Sequence, residues 1–171
     1  MIENTTYIKC RPSQLVNLGH FFTVLLLLPL LFIPGSAIRE FIPSGFIPDA
    51  VEVHILRLPF YVVSAALIKL GYHLLKTRCI RYEITPEELQ YTFGILRRKH
   101  EYIELYRIKD FQVDRPLVYR FLGLGNLMVY TSDKTTPVFR LEAVRAPEEI
   151  YTVLRGLVEL NRREKHVFEI D

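Results

Sequence analysis

The segment Cys79-Ile-Arg-Tyr-Glu-Ile-Thr85 alternates apolar and polar residues and opens the region that determines the fold. The apolar residues at positions 80, 82 and 84 share one face of an extended chain, whereas Arg81 and Glu83 lie on the other, which is typical of a half-buried β-strand. Short β-type runs separated by Gly, Pro and Asp follow, and we predict strands over Leu89–Phe93, Ile95–Leu105, Tyr106–Val113, Asn126–Thr131 and Pro137–Leu141. Between two of these strands, the residues from Leu117 to Gly125 indicate an irregular connection or a short helical turn.

A helix is predicted to close this region. Pro147 suits the first helical position, and Glu148 and Glu149 suit the positive end of the helix dipole. Apolar residues then recur at helical spacing, at Ile150, Val153, Leu154, Leu157 and Val158. Several antiparallel strands followed by one amphipathic helix predict a small bent barrel or sandwich with the helix packed over the open end of the sheet.

The residues before Cys79 predict a transmembrane helical hairpin. Leu15–Pro34 contains no Asp, Glu, Lys or Arg, and its length matches the roughly 20 apolar residues that a bilayer-spanning helix needs. Pro29 should bend this helix without ending it. A cleaved signal peptide is the alternative, with Gly35–Ala37 as the cleavage site, but apolar regions of signal peptides usually span only about 7–15 residues.

A second apolar segment, Ile55–Leu75, completes the predicted hairpin. Lys69 lies near its end, where its four-carbon stem allows the charge to reach the headgroups; a functional cation within the membrane is the alternative. Positively charged residues precede the first span and follow the second, so the positive-inside rule predicts two cytoplasmic termini and an external loop over about 35–54. Two apolar pairs among prolines in this loop, at Phe41 and Phe46, are predicted to rest at the outer interface or to pack together.

The composition excludes some classes of function. A net charge of +3 is too small to indicate nucleic-acid binding by itself, and two cysteines, Cys10 and Cys79, do not form a disulfide framework. The five histidines lack metal-ligand spacing, and Gly123-Leu-Gly125 lacks the third glycine of a dinucleotide loop. We therefore expect no enzyme activity, no metal and no cofactor.

One dense basic run, Arg97-Arg-Lys-His100, is the main candidate for binding. It is either a solvated strand face or a surface that contacts anionic headgroups, because a membrane of anionic lipid attracts each nearby Lys or Arg by about 1 kcal/mol. Residues that leave the second span, and those at the end of the last helix (Arg162, Arg163 and Lys165), could join it. The predicted contact residues for a headgroup or a protein partner are Arg97, Arg98, Lys99, Lys76, Arg78 and Arg81.

The sequence from roughly Arg11 to Leu160 resembles the bacterial pleckstrin-homology (PH) domain of the membrane-flanked type, with its YdbS-like and YdbT-like members. The resemblance rests on Ile80–Thr85 with Glu88-Leu89, Gly94–Arg97, Ile103–Val113, Leu122–Gly125 and Val129–Thr131. It implies an α+β membrane protein in which an N-terminal two-helix transmembrane hairpin precedes a bent antiparallel barrel capped by a C-terminal helix. Eukaryotic pleckstrin domains often bind phosphoinositides through a basic first hairpin, whereas the first hairpin counted here, Thr85–Glu88, is acidic.

These observations predict four parts of the chain: a cytoplasmic segment at 1–14, the transmembrane hairpin at 15–76, the PH-like domain at 77–163 and a tail at 164–171. The expected location is the bacterial inner membrane. The function expected first is a non-enzymatic adaptor or accessory subunit that binds a protein partner or forms a homo-oligomer. The alternative is peripheral recognition of anionic membrane lipids through the basic hairpin.

Overall fold

The structure, a computed structural model, describes residues 8–40, 48–134 and 136–165. The chain divides into two compact units. The helical unit is Asn17–Leu74, and the sheet unit consists of the described parts of Met1–Val16 and Leu75–Asp171. The two apolar pairs predicted to rest at the outer interface or to pack together, at Phe41 and Phe46, lie outside the described residues.

Four helices belong wholly or largely to the helical unit: α1 (Leu18–Leu27), α2 (Gly35–Arg39), α3 (Asp49–Leu56) and α4 (Leu58–Arg78). Short 3-10 segments, Gln14–Asn17 and Leu28–Phe32, extend α1 at both ends. Pro29 therefore tightens the helix into a 3-10 turn without ending it, because a proline at the start of the turn needs no backbone donor. The segments Gln14–Phe32 and Leu58–Arg78 are long and apolar enough to cross a membrane.

The sheet unit contains two antiparallel sheets. The first has the order β1 (Ile8–Cys10), β2 (Arg81–Ile84), β3 (Glu88–Phe93) and β4 (Lys99–Glu104), and the second has the order β5 (Ile108–Asp114), β6 (Leu124–Thr131) and β7 (Val138–Arg145). A short helix, α5 (Leu117–Phe121), connects β5 to β6, and α6 (Pro147–Glu164) ends the described chain. The predicted α+β class with antiparallel sheets is confirmed, but no strand ladder joins the two sheets in the described residues, so the predicted barrel is not closed.

The core of the sheet unit lies between the two sheets and α6. Leu89, Leu105 and Leu127 are fully buried in it, and the apolar stripe of α6 completes it through Ile150, Leu154, Leu157 and Val158. The predicted helix from Pro147 is therefore confirmed, with Glu148 and Glu149 in its first turn. Tyr82 is also buried, and its hydroxyl oxygen accepts a hydrogen bond from the backbone N–H of Glu142.

Strand β1 was not predicted from the sequence. Its residues precede the first apolar helix, yet they pair with β2, with Ile8 opposite Ile84, Lys9 opposite Glu83 and Cys10 opposite Tyr82. The boundaries drawn from the sequence at 1–14 and 77–163 separate two segments that the structure places in one unit. Burial raises the pKa of the Cys10 thiol to about 11, because the thiolate would lose its hydration beside the core.

The predicted strand Ile95–Leu105 was wrong at its beginning and its end. The chain turns over residues 94–98, β4 begins only at Lys99, and Leu105 starts a 3-10 turn. Gly94 has a φ of 106°, which other residues rarely adopt, and this conformation reverses the chain. The basic run is therefore divided between a hairpin loop and the start of a strand.

Candidate functional site

The outer face of the first sheet is polar because its strands alternate. Tyr82 and Ile84 of β2 point into the core, so Arg81 and Glu83 point away from it. The register places Arg81 opposite Thr92 of β3, and Thr92 opposite His100 of β4. One row of side chains thus crosses three strands on the outer face.

A cleft of about 240 Å³ lies on the outer face, along the row formed by Arg81, Thr92 and His100. Three arginines from three different segments line it: Arg78 from the last turn of α4, Arg81 from β2 and Arg98 from the loop between β3 and β4. The other lining residues are Cys79, Glu83, Gln90, Thr92 and His100. All of these residues belong to the sheet unit.

Hydrogen bonds and one ion pair organise the polar residues of the cleft. The Thr92 hydroxyl lies 3.0 Å from Nδ1 of His100. Gln90 donates to the carboxylate of Glu88 over 2.7 Å, which holds its amide in place. Glu83, the only carboxylate among the described residues that line the cleft, lies 3.9 Å from the ammonium of Lys9, and this pairing offsets part of its negative charge. The cleft is therefore positively charged and offers guanidinium, imidazole and hydroxyl groups to a ligand.

The structure brings together half of the predicted contact residues. Arg78, Arg81 and Arg98 share the cleft, whereas Lys76, Arg97 and Lys99 do not line it. Lys99 lies opposite Phe93 in the β3–β4 register, and its ammonium is 6.0 Å from the centre of the Phe93 ring. Because successive residues of a strand face opposite sides, Lys99 is separated from its neighbour His100.

The basic residues at the end of α6 do not join the cleft. Arg162 donates to the backbone carbonyl of Ile108 over 2.6 Å, and Lys165 lies 4.6 Å from the centre of the Tyr106 ring. These contacts tie the end of α6 to the start of β5 and to the 3-10 turn before it, and none of these residues lines the cleft. Sequence reasoning missed Thr92 and Gln90, although their alternation with buried Leu89 was a usable signal.

Guanidinium groups favour phosphate and carboxylate ligands because their planar N–H donors match the oxygens of such anions. Three arginines beside a histidine and a hydroxyl can therefore hold an anionic group at the mouth of the cleft. Among residues 8–40, 48–134 and 136–165, no group of three or more His, Cys, Asp or Glu residues could hold a metal ion.

Lys69 lies in the helical unit, beside a second polar feature. It lines a cavity of about 290 Å³ together with His20 and Thr23. The rings of His20 and His73 stack with their centres 4.0 Å apart, and Nδ2 of Asn17 donates to the His73 carbonyl over 3.5 Å. His20 and His73 therefore form a packing contact between α1 and α4.

A four-stranded and a three-stranded antiparallel sheet with α6 over the core define an α+β protein. A family model described as Bacterial PH domain matches residues 15–158, which is most of the chain and includes both apolar helices. The chain therefore belongs to the bacterial PH domain family, as its sequence predicted. No curated protein matches the chain, and no solved structure matches it.

Proposed function

We propose that this member of the bacterial PH domain family is a non-enzymatic protein of the bacterial inner membrane, anchored by two transmembrane helices. The sheet unit lies at the cytoplasmic surface, and its arginine cleft binds an anionic headgroup. The observation that carries the proposal is the convergence of Arg78, Arg81 and Arg98 on one cleft beside the last turn of α4.

The exposure of the apolar helices supports the membrane location. Only 11% of the most apolar stretch of Gln14–Phe32 is buried, and only 6% of the most apolar stretch of Leu58–Arg78 is buried. A core helix of a water-soluble protein would bury such residues, whereas lipid can surround a helix that satisfies its own backbone hydrogen bonds.

The pairing of β1 with β2 supports the proposed topology. The chain leaves β1 before the first apolar helix and enters β2 after the second, so both ends of the helical segment meet in one folded unit. Such an arrangement requires an even number of membrane crossings. Lys9, Arg11, Lys76 and Arg78 flank the two helices on this side, which favours the cytoplasm. The same pairing argues against cleavage after the first helix, because cleavage would remove β1.

The cleft is tested with full-length protein reconstituted into phosphatidylcholine nanodiscs. The measured quantity is its affinity for a short-chain, soluble phosphatidylglycerol. Replacing Arg78, Arg81 and Arg98 together by Gln should weaken this binding about a hundredfold, since three charges contribute about 3 kcal/mol at about 1 kcal/mol each. The matched control replaces Lys76, Arg97 and Lys99 by Gln, which removes the same charge outside the cleft and should cost less.

Three comparisons interpret the result. Short-chain phosphatidylcholine should bind weakly, and inorganic phosphate should bind as well as phosphatidylglycerol only if the natural ligand is a free phosphate. Equal losses in the cleft and control variants would mean that general surface charge attracts the lipid. Unchanged binding in the cleft variant would refute the proposal.

The adaptor role is the second candidate, and the outer side of α6 favours it. An open groove of about 590 Å³ runs along this side, where Gly156 leaves a gap between Val153 and the exposed Leu160. A partner helix or strand could cover it. Replacing Leu160 by Arg should then abolish co-purification of a stoichiometric partner in mild detergent and leave phosphatidylglycerol binding intact. Co-purification that survives this change would remove the groove from the interface.

A further inference from the structure

One pole of the sheet unit carries both connections to the apolar helices. β1 ends at Cys10 beside the beginning of β2, so the chain departs towards α1 at the same end of the sheet where it returns from α4. The loop between β3 and β4 lies at this end as well, because Thr92 pairs with Arg81 and with His100. We name this end the connection pole.

The loop between β3 and β4 presents apolar side chains at this pole. Leu96 is 100% exposed and Ile95 is 36% exposed, and Arg97 and Arg98 follow them directly. Gly94, with its positive φ, makes the turn that presents them. Ile95 and Leu96 thus form an exposed apolar pair with cations directly after it, and exposed apolar surface rimmed by polar residues marks sites of interaction with proteins or membranes.

Helix α5 presents a second apolar tip at the same pole. It follows Asp114, which pairs with Asn126, and the Asn126 side chain accepts a hydrogen bond from the backbone N–H of Ala143. The Ala143 carbonyl in turn accepts from the backbone N–H of Ser13, where the chain leaves β1 towards α1. The tip consists of exposed residues, Leu117, Val118, Phe121 and Leu122.

The composition of the two tips fits a membrane interface. Phe121 is 89% exposed and has Arg120 beside it, so each tip combines large apolar side chains with an adjacent cation. Aromatic and aliphatic side chains are buried at the boundary between headgroups and acyl chains, where Lys and Arg interact with anionic lipids. The connection pole is also the end from which the chain runs into bilayer-length apolar helices.

We propose that Ile95 and Leu96 of the β3–β4 loop, together with α5, insert into the bilayer interface and dock the sheet unit on the membrane. This inference rests on the proposed membrane location but does not depend on ligand binding in the arginine cleft. Insertion at two tips, besides the two chain connections, would hold the cleft at headgroup level.

The chain contains no tryptophan, so a single introduced tryptophan reports on one position without background. Leu96→Trp and Phe121→Trp are made in the full-length protein, which is reconstituted into vesicles of phosphatidylglycerol and phosphatidylcholine brominated on its acyl chains. We expect blue-shifted emission and quenching by the brominated lipid at both positions.

Two further variants serve as controls. Phe22→Trp, on an exposed face of α1, should be strongly quenched if α1 lies in the bilayer. Val138→Trp, at the start of β7, should remain unquenched, because β7 begins at the end of its sheet opposite to the connection pole. Far-ultraviolet circular dichroism verifies that each variant is folded.

The outcomes separate the inference from the proposed function. An unquenched Phe22→Trp would overturn the membrane location itself. Quenching at Phe22→Trp with an unquenched tip would overturn two-tip docking and leave the membrane location intact. Blue-shifted emission without quenching at the tips would mean that a second copy or a protein partner covers them. Quenching at Val138→Trp equal to that at the tips would overturn the inference, because lipid would then contact both ends of the sheet unit alike.

Discussion

The helical unit and the sheet unit contain the same types of apolar residue in opposite surroundings. Leu105 and Leu127 of the sheet unit are 0% exposed, whereas Leu26 of α1 is 79% exposed and Ile68 of α4 is 74% exposed. In the sheet unit, strand alternation and the stripe on α6 direct apolar side chains into one core. In α1 and α4, apolar residues surround the helix, so no single neighbour could bury them all.

The difference indicates which surroundings each unit requires. Burial of apolar area stabilises the sheet unit in water by about 25 cal/mol per Å². The same term opposes exposing α1 and α4 to water, and it vanishes when lipid replaces water around them. The proposed membrane location is therefore the assignment in which both units satisfy the same physical rule.

The largest effect is expected from removing β1, the strand of the sheet unit that precedes the helical unit in the sequence. Deleting residues 2–10 exposes the edge of β2 and the core atoms beneath Ile8 and Cys10. The deletion removes the apolar contacts of Ile8 and Cys10 and the pairing of β1 with β2. It should lower the free energy of unfolding by about 3 kcal/mol or more, which is a large share of the stability of a typical domain. Limited proteolysis of the sheet unit measures the loss.

A matched control for this deletion replaces residues 2–7 by a Gly-Ser sequence of equal length and keeps β1. It should protect the sheet unit as well as the parent chain does. Equal protection after the full deletion would contradict the contribution of β1. The same reasoning makes a fragment starting at Arg78 unsuitable for lipid-binding assays, because it lacks this strand.

A pair of leucine substitutions tests the comparison of the two units directly. Leu105→Ala removes a fully buried side chain and should lower the free energy of unfolding of the sheet unit by about 2–5 kcal/mol. Leu26→Ala, at an exposed position of α1, should change it by less than about 0.5 kcal/mol. Denaturant titration in mild detergent, followed by near-ultraviolet circular dichroism of the tyrosines, measures both. A similar cost for the two changes would show that α1 buries Leu26.

Much of the fold was predictable from local signals. The alternation at Ile80–Ile84 and the Pro-Glu-Glu start of α6 depend only on neighbouring residues, and the structure confirms both elements. Strand β1 was not predictable in this way, because its three residues show no recognisable period and their partner strand begins 71 residues after Cys10. Because β1 was missed, the sequence interpretation took Thr85–Glu88 as the first hairpin. In the structure this turn joins β2 to β3, so its acidity says nothing about the connection from β1 to β2.

The candidate site was predictable only in part for a similar reason. The charges were evident, and three of the six predicted residues line the cleft. Their separation from the others depends on the turn at Gly94, which shifts the start of β4 and decides which side chains face outwards. A strand assumed from Ile95 obscured this alternation, so Lys99 was grouped with Arg98 although it lies against Phe93.

The next effect concerns the thiol of Cys10, at the junction of β1 with the core. Burial raises its pKa from 9.0 to about 11, so at pH 8 the thiolate fraction should be about a hundredfold lower than in the unfolded chain. Alkylation by iodoacetamide in a Cys79→Ser background should be slowed about as much and should rise tenfold per pH unit up to about pH 11. Protein unfolded in urea is the control. Equal rates in folded and unfolded protein would mean that β1 does not cover the thiol.

The sign of this shift also predicts a dependence of stability on pH. Folding disfavours the Cys10 thiolate, so this contribution to stability is complete below about pH 9 and is lost as the pH rises through about 11.

The slow reaction of the Cys10 thiol also limits what topology labelling can reveal, since an unlabelled Cys10 does not report its side of the membrane. Ser36→Cys, at an exposed position in α2, should react with an impermeant maleimide in intact cells, whereas Cys79 should not. Labelling of Cys79 would reverse the topology.

The smallest effect distinguishes two exposed turns of the sheet unit that carry the apolar tips. Gly94 and Gly123 both have positive φ, 106° and 66°, but a Cβ on Gly94 would collide with the carbonyl of Arg97, whereas one on Gly123 meets open space. Gly123→Ala should therefore cost about 1 kcal/mol, from the left-handed conformation alone. Gly94→Ala should cost about 1–3 kcal/mol and displace the loop that presents Leu96 and Arg98. Thermal denaturation measures the two costs, and lipid quenching of Leu96→Trp measures the displacement. Equal costs would mean that the loop relaxes around the added methyl group, and quenching would then be unchanged because the tip would still reach the membrane.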